Sequence, residues 1–209
     1  MACCGKVICS GCTYANSSLS DADLCPFCRS LAPSSDEEIV ERMKQRIKAE
    51  DALAMYGLGC IYSEGRNGFP LNDAKALELF HRAAELGYYG AYHNIGFAYV
   101  DGRVVQQDTK KVRHYWEIAA MGGDAKSRYG LGLIEQNKGN VDRALKHYMI
   151  AARGGESDSL EATHALFKDG QATKDDYTKA LRLYQAYLDE VKSDQRDKAA
   201  AFSDNDKYY

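Results

Sequence analysis

The chain has 209 residues, 45% of them hydrophobic and 27% charged, with a net charge of −3, the composition of a soluble globular protein of one or two domains. Acids and bases are interspersed, which excludes the basic face of a nucleic-acid binder and a polybasic membrane patch, and no apolar run reaches the roughly 18 residues that span a bilayer. The opening stretch Met1-Ala2-Cys3-Cys4-Gly5-Lys6 lacks the apolar core of a signal peptide, which predicts an intracellular, cytoplasmic protein in a reducing compartment.

Six of the seven cysteines fall within residues 1–29. In a reducing compartment such a cluster points to metal binding rather than disulfides. Cys9, Cys12, Cys25 and Cys28 form a Cys-x2-Cys-x12-Cys-x2-Cys array, enough thiolates to close one tetrahedral zinc site. Cys4 is a further candidate ligand. Cys60 falls inside a helical pattern and reads as a small core side chain.

Residues 30–50 read as a linker and a capping helix. Ser35-Asp36-Glu37-Glu38 has the form of a capping box, in which the serine takes an orphan amide and the glutamate reaches back. Ile39, Met43 and Ile47 then recur every fourth residue, as one stripe of a helix.

Residues 51–192 repeat. Aligning the second helix of each unit places capping residues at Asn72, Asp108, Asn140 and Asp176. Four residues later stand Ala76, Val112, Ala144 and Ala180, and after four more Phe80, Trp116, Tyr148 and Tyr184. These two positions lie a turn apart on one helix face. The pairs Ala83-Ala84, Ala119-Ala120 and Ala151-Ala152 permit close helix contact, and Gly87, Gly123 and Gly155 supply the left-handed turn that stops each helix. In the first helices Leu58-Gly59, Ile95-Gly96 and Tyr129-Gly130 align, followed by Tyr62, Tyr99 and Leu133. Glycine inside a helix costs about 1 kcal/mol against alanine, so its recurrence implies that an aromatic ring approaches the backbone there. In this alignment Asn94 shares its register with Gly57 and Arg128, and these positions are expected to line an inner face. One unit cannot bury its own apolar face, so stacking must supply the core. The fourth unit departs from the pattern at Tyr187-Leu188 and Val191, as a terminal repeat does. Residues 193–209 form a polar tail.

The repeats resemble the Sel-one-like repeat, a relative of the tetratricopeptide repeat. The second unit carries the resemblance in Ala91, Ile95-Gly96, Tyr99, Gly102, Val105, Asp108, Lys111, Trp116 and Ala119-Ala120, departing from that pattern at Val104 and Val112. The resemblance implies an all-α, right-handed superhelix of about four helix–turn–helix repeats, with a small zinc-finger fragment before it. The cysteines resemble the latter part of a RING finger. Cys4-Gly5-Lys6-Val7-Ile8-Cys9-Ser10-Gly11-Cys12 and Cys25-Pro26-Phe27-Cys28-Arg29 follow its spacing, but Lys6 stands at the histidine ligand and the first Cys-x2-Cys pair is absent. Two wirings stay open. In a RING cross-brace Cys4, Cys25 and Cys28 share one ion while Cys9 and Cys12 await the missing pair; in the other wiring Cys9, Cys12, Cys25 and Cys28 hold one ion.

Sel-one-like repeats imply an adaptor or scaffold, so the expected partners are proteins or peptides bound by the repeats at residues such as Asn94 and Arg128. No catalytic constellation stands out in the sequence. The alternative is a RING-type ubiquitin ligase, whose repeats choose substrate while the finger recruits a ubiquitin-conjugating enzyme.

Overall fold

A computed structural model describes residues 10–17, 24–25, 27–31, 33–66, 68–194, 197–198 and 201. Cys3, Cys4 and Cys9 lie outside the described residues, as does the end of the tail from 202 to 209. Ten helices are present among the described residues: α1 (Ser10–Ser17), α2 (Asp36–Lys48), α3 (Ala52–Glu64), α4 (Asp73–Glu85), α5 (Gly90–Asp101), α6 (Thr109–Met121), α7 (Ala125–Asn137), α8 (Val141–Arg153), α9 (Asp158–Lys168) and α10 (Lys174–Val191). The chain divides into two compact units after Tyr88.

In the first unit α2 packs on α3, and α3 on α4. The Ser35 hydroxyl accepts from the Glu38 amide at 3.2 Å, as expected of a cap. The returning carboxylate goes one residue further back: Glu38 Oε2 accepts from the Ser34 amide at 2.8 Å and from the Ser34 hydroxyl at 3.0 Å. Val40 is the buried residue of α2, and Ile39, Met43 and Ile47 are half-buried beside it. Arg46 forks onto Asp51 Oδ2 from Nε at 2.9 Å and Nη2 at 2.8 Å. Asp51 Oδ1 accepts the Ala54 amide at 3.1 Å, so one carboxylate both caps α3 and holds α2 against it.

The hairpins α3–α4, α5–α6 and α7–α8 are built alike. In each, an aromatic ring of the second helix presses on a glycine of the first. A Cβ on Gly59 would lie 2.7 Å from Phe80 Cε1, and one on Gly96 would lie 2.5 Å from Trp116 Cδ1. In the third hairpin the glycine beneath Tyr148 is Gly132. The expected alignment through Tyr129-Gly130 is therefore two residues out of register. Leu131-Gly132 is the true equivalent of Leu58-Gly59 and Ile95-Gly96. The third loop is shorter, and counting back from the second helix carries that deletion into the first. Three residues before each glycine a second ring completes the contact: Tyr56–Phe80 with centroids 5.8 Å apart, His93–Trp116 at 6.1 Å and Tyr129–Tyr148 at 5.7 Å. Gly130 has a different task, since its Cα faces Trp116 Cζ3 from the next hairpin.

The alanine pairs are buried in all three hairpins. Gly87, Gly123 and Gly155 end α4, α6 and α8 in the left-handed region, at φ 84, 92 and 90°. Asn72 and Asp108 cap α4 and α6 through their side chains. Asn140 does not cap α8; its amide donates to Glu135 Oε2 at 2.8 Å. The fourth unit differs further. Its helix starts at Lys174, and the cap is Thr173, whose hydroxyl accepts the Asp176 amide at 3.1 Å while Asp176 Oδ2 accepts the Thr173 amide at 2.9 Å. Asp176 is thus inside the helix, not at its cap. Counting from the stop glycines, His164 stands where Gly96 and Gly132 stand. An imidazole leaves no room for a ring against the backbone, so Tyr177 stacks on His164 at 4.9 Å instead. Ala180 keeps its expected place and is fully buried.

Candidate interaction surface

With the register corrected, Asn94 corresponds to Gly57 and Gly130, not to Arg128. Asn94 is half-buried on α5. Arg128 opens α7, and its Nη2 donates to the Ala120 carbonyl at 3.2 Å, a cation on the C-terminal turn of α6. The two residues expected to act at one register thus sit at different heights on their helices. One position after each glycine stands a row that sequence reasoning missed. Phe97 of α5 is 51% exposed and Leu133 of α7 is 36% exposed, at the same register of successive first helices, with Val100 42% exposed one turn beyond Phe97. The half-buried Cys60 holds this register in the first unit. The signal was available in the motif itself: Ser127-x3-Leu131-Gly132 repeats the spacing of Ala54-x3-Leu58-Gly59 and Ala91-x3-Ile95-Gly96.

Beneath that row lies a polar junction. His93 Nδ1 is 2.9 Å from Ser127 Oγ and 3.3 Å from Asp124 Oδ1. Asp124 Oδ1 also accepts the Ser127 amide at 2.6 Å, capping α7. Burial pushes the Asp124 carboxyl up, but the bonds from His93 and Ser127 outweigh it and hold it at about 2. Serine, histidine and aspartate do not form a hydrolytic triad here. Both contacts use the same imidazole nitrogen, and Ser127 is fully buried, so no substrate reaches its hydroxyl. Glu135 is also buried, paired with Arg113 and bonded to Asn140, and these partners hold its carboxyl below the usual range. These groups join helices.

At the cysteine segment the chain folds back on itself. The Cys25 amide donates to the Ser30 carbonyl at 2.8 Å and the Arg29 amide to the Cys25 carbonyl at 2.9 Å. Arg29 is left-handed at φ 57°, and Leu24 pairs with Leu31 in an antiparallel bridge. Cys25 is buried, while Cys12 and Cys28 are exposed. Of the remaining candidate ligands, Cys4 and Cys9 lie outside the described residues. Among the described residues no group of three or more histidine, cysteine or acidic side chains is placed to hold a metal. No described helix is long and apolar enough to cross a membrane.

The recurrent glycine–ring wedge coincides with a family match. Residues 52–88, 90–124, 127–156 and 164–186 each match the Sel1 repeat. The chain belongs to the Sel1 repeat family. A Sel1 repeat protein from Oxalobacter formigenes shares the fold with a TM-score of 0.63 at 21% identity, over 80% of this chain and 70% of that one. A protective antigen of uropathogenic Escherichia coli displaying an SLR fold matches with a TM-score of 0.59 at 24% identity, over 78% of this chain and 36% of that one. In sequence, the ERAD-associated E3 ubiquitin-protein ligase component HRD3B of Arabidopsis thaliana is 26% identical over 113 residues, 54% of this chain and 18% of its own. Chitin synthase regulatory factor 4 of Schizosaccharomyces pombe is 28% identical over 111 residues, 52% of this chain and 17% of its own. The chain thus spans less than a fifth of the length of these curated relatives. In the Sel1 repeats here, Gly59, Gly96 and Gly132 are the ring-bearing glycines, and Gly130 is an addition that admits the larger indole of Trp116.

Proposed function

We propose that this protein is a scaffold whose Sel1 repeats hold other proteins in the cytoplasm. The reading rests chiefly on Phe97 and Leu133, apolar side chains left in solvent at one register of successive helices. Apolar area gathered into a patch of this kind marks protein contact more often than scattered exposed residues do. Asn94 lies one turn before Phe97 and adds an amide beside the apolar row; Arg128 contributes charge from the start of α7. A photo-reactive residue at position 97 should cross-link partners in cells, whereas one at the exposed Lys146 of α8 should not. The double variant Phe97→Asn, Leu133→Asn should lose those partners without unfolding. Equal cross-linking from both positions would sink this reading.

A second reading adds a zinc-bound finger that recruits a ubiquitin-conjugating enzyme. It is supported by the turn at Cys25–Cys28, where a left-handed Arg29 and two backbone hydrogen bonds hold a Cys-x2-Cys segment in a tight bend. Thiols are the donors that zinc takes in closed structural sites. Cys9, Cys12, Cys25 and Cys28 would hold the ion, with Cys4 as the further ligand of a cross-brace. The similarity to a ubiquitin-ligase component supports the same direction. Self-ubiquitination by the purified chain with conjugating enzymes, abolished by Cys25→Ser, is the test; no transfer leaves the scaffold alone.

A further inference from the structure

His147 of α8 carries a buried Nδ1 with no hydrogen-bond partner among the described residues. Its charged neighbours come from two other helices: Arg113 and Glu117 from α6, and Arg128 and Glu135 from α7. On its own helix Arg143 lies one turn earlier. The opposite face of α8 is apolar, with Ala144, Leu145 and Tyr148 packed with Leu166 of α9 and with Ala172. The imidazole therefore stands at the polar seam where α8 meets α7 and faces α6.

The two acids at this seam are already engaged. Glu135 binds Arg113 and Asn140, with Arg143 4.0 Å away, and Glu117 lies 3.7 Å from Arg113. Neither is free to turn to a newly charged imidazole without giving up an arginine. In the neutral ring one nitrogen carries hydrogen and Nδ1 can remain a bare acceptor. In the imidazolium both nitrogens carry hydrogen, so a buried charged donor would face two guanidinium groups with no acceptor in reach. A donor buried in that way costs far more than a bare acceptor does.

We propose that His147 is a pH-operated release on the seam between the second and third repeats. Neutral, it lets α8 close on α7; protonated, it drives α8 away, loosening the repeat stack in mildly acidic surroundings. Burial, followed by Arg128, lowers its pKa below the ordinary 6.5, the direction this requires. The folded form stays neutral where the unfolded chain takes up a proton. The stabilisation is therefore complete above pH 6.5 and is lost as pH falls from there through the folded value.

Hydrogen exchange of the full chain at pH 7.5 and 5.5, corrected for the intrinsic rate, tests the proposal on wild type, His147→Gln and His93→Gln. Opening of α7 and α8 should increase at the lower pH in wild type and in His93→Gln, by about tenfold for each unit the folded pKa lies below the unfolded one. His147→Gln should abolish that increase. A proton NMR titration of the wild-type imidazoles supplies a readout independent of whether any variant folds well, and His147 should titrate below 6.5. Titration at or above 6.5, or an unchanged acid response in His147→Gln, overturns the proposal.

Discussion

The indole Nε1 of Trp116 donates to the carbonyl of His93 at 3.2 Å, while the two rings stack at 6.1 Å. The chain's only tryptophan is thereby bound to α5 through both its edge and its face, with Gly96 on that side and Gly130 of α7 on the other. It is half-buried rather than sealed in a core, yet it bridges two repeats.

Trp116→Ala should therefore destabilise the second unit by about 3–5 kcal/mol, as large-to-small changes at packed aromatics do. Chemical denaturation followed by circular dichroism measures it. A midpoint unchanged from wild type would mean that the two glycines, not the indole, set the spacing of α5 and α7.

Gly132→Ala tests the corrected register. Replacing a helical glycine by alanine ordinarily gains up to about 1 kcal/mol. Here the added Cβ falls on the Tyr148 ring, and Tyr148 is fully buried and cannot swing aside. Overpacking of about 1–3 kcal/mol should win, giving net destabilisation. Gly139→Ala, with open space around it, should not disturb any ring. A Gly132→Ala variant more stable than wild type would remove the wedge from the third repeat.

Acid should act on Asp124. Its carboxyl titrates at about 2 in the folded chain against 3.8 unfolded, so its contribution is complete above pH 3.8 and disappears as pH falls towards 2. At neutral pH, Asp124→Ala should cost about 1–2 kcal/mol through the lost α7 cap. Between pH 4 and 2 the difference from wild type should shrink. A difference that stays constant over that range would show the His93 and Ser127 contacts to be energetically silent.

Native mass spectrometry of the full chain should find one zinc bound, set by the four-ligand requirement. Cys9→Ser should release it and Cys3→Ser should not. Chelation should leave the repeats helical, because no repeat residue belongs to the ligand set. Two ions per chain would favour the cross-brace wiring with Cys4.

The sequence by itself determined the repeat. Helix stops at Gly87, Gly123 and Gly155, the alanine pairs and the ring positions are local consequences of capping, backbone freedom and side-chain volume, and the structure keeps each of them. The alignment between helices was legible only where loop lengths matched. In the third repeat a shortened loop shifted the reading by two residues, and only the contact of Tyr148 with Gly132 decides which glycine bears the ring. Tertiary structure also decided what polar side chains do. Asn140 carries the identity of a cap but turns to Glu135, because a buried carboxylate needs a donor more than an exposed amide needs an acceptor. Asp124, Ser127 and His93 lie far apart along the chain and meet only when α5 and α7 stack. Exposure is likewise a property of the stack. Phe97 and Leu133 have the character of core residues, and only the packing of neighbouring helices around Gly96 and Gly132 leaves their side chains facing water.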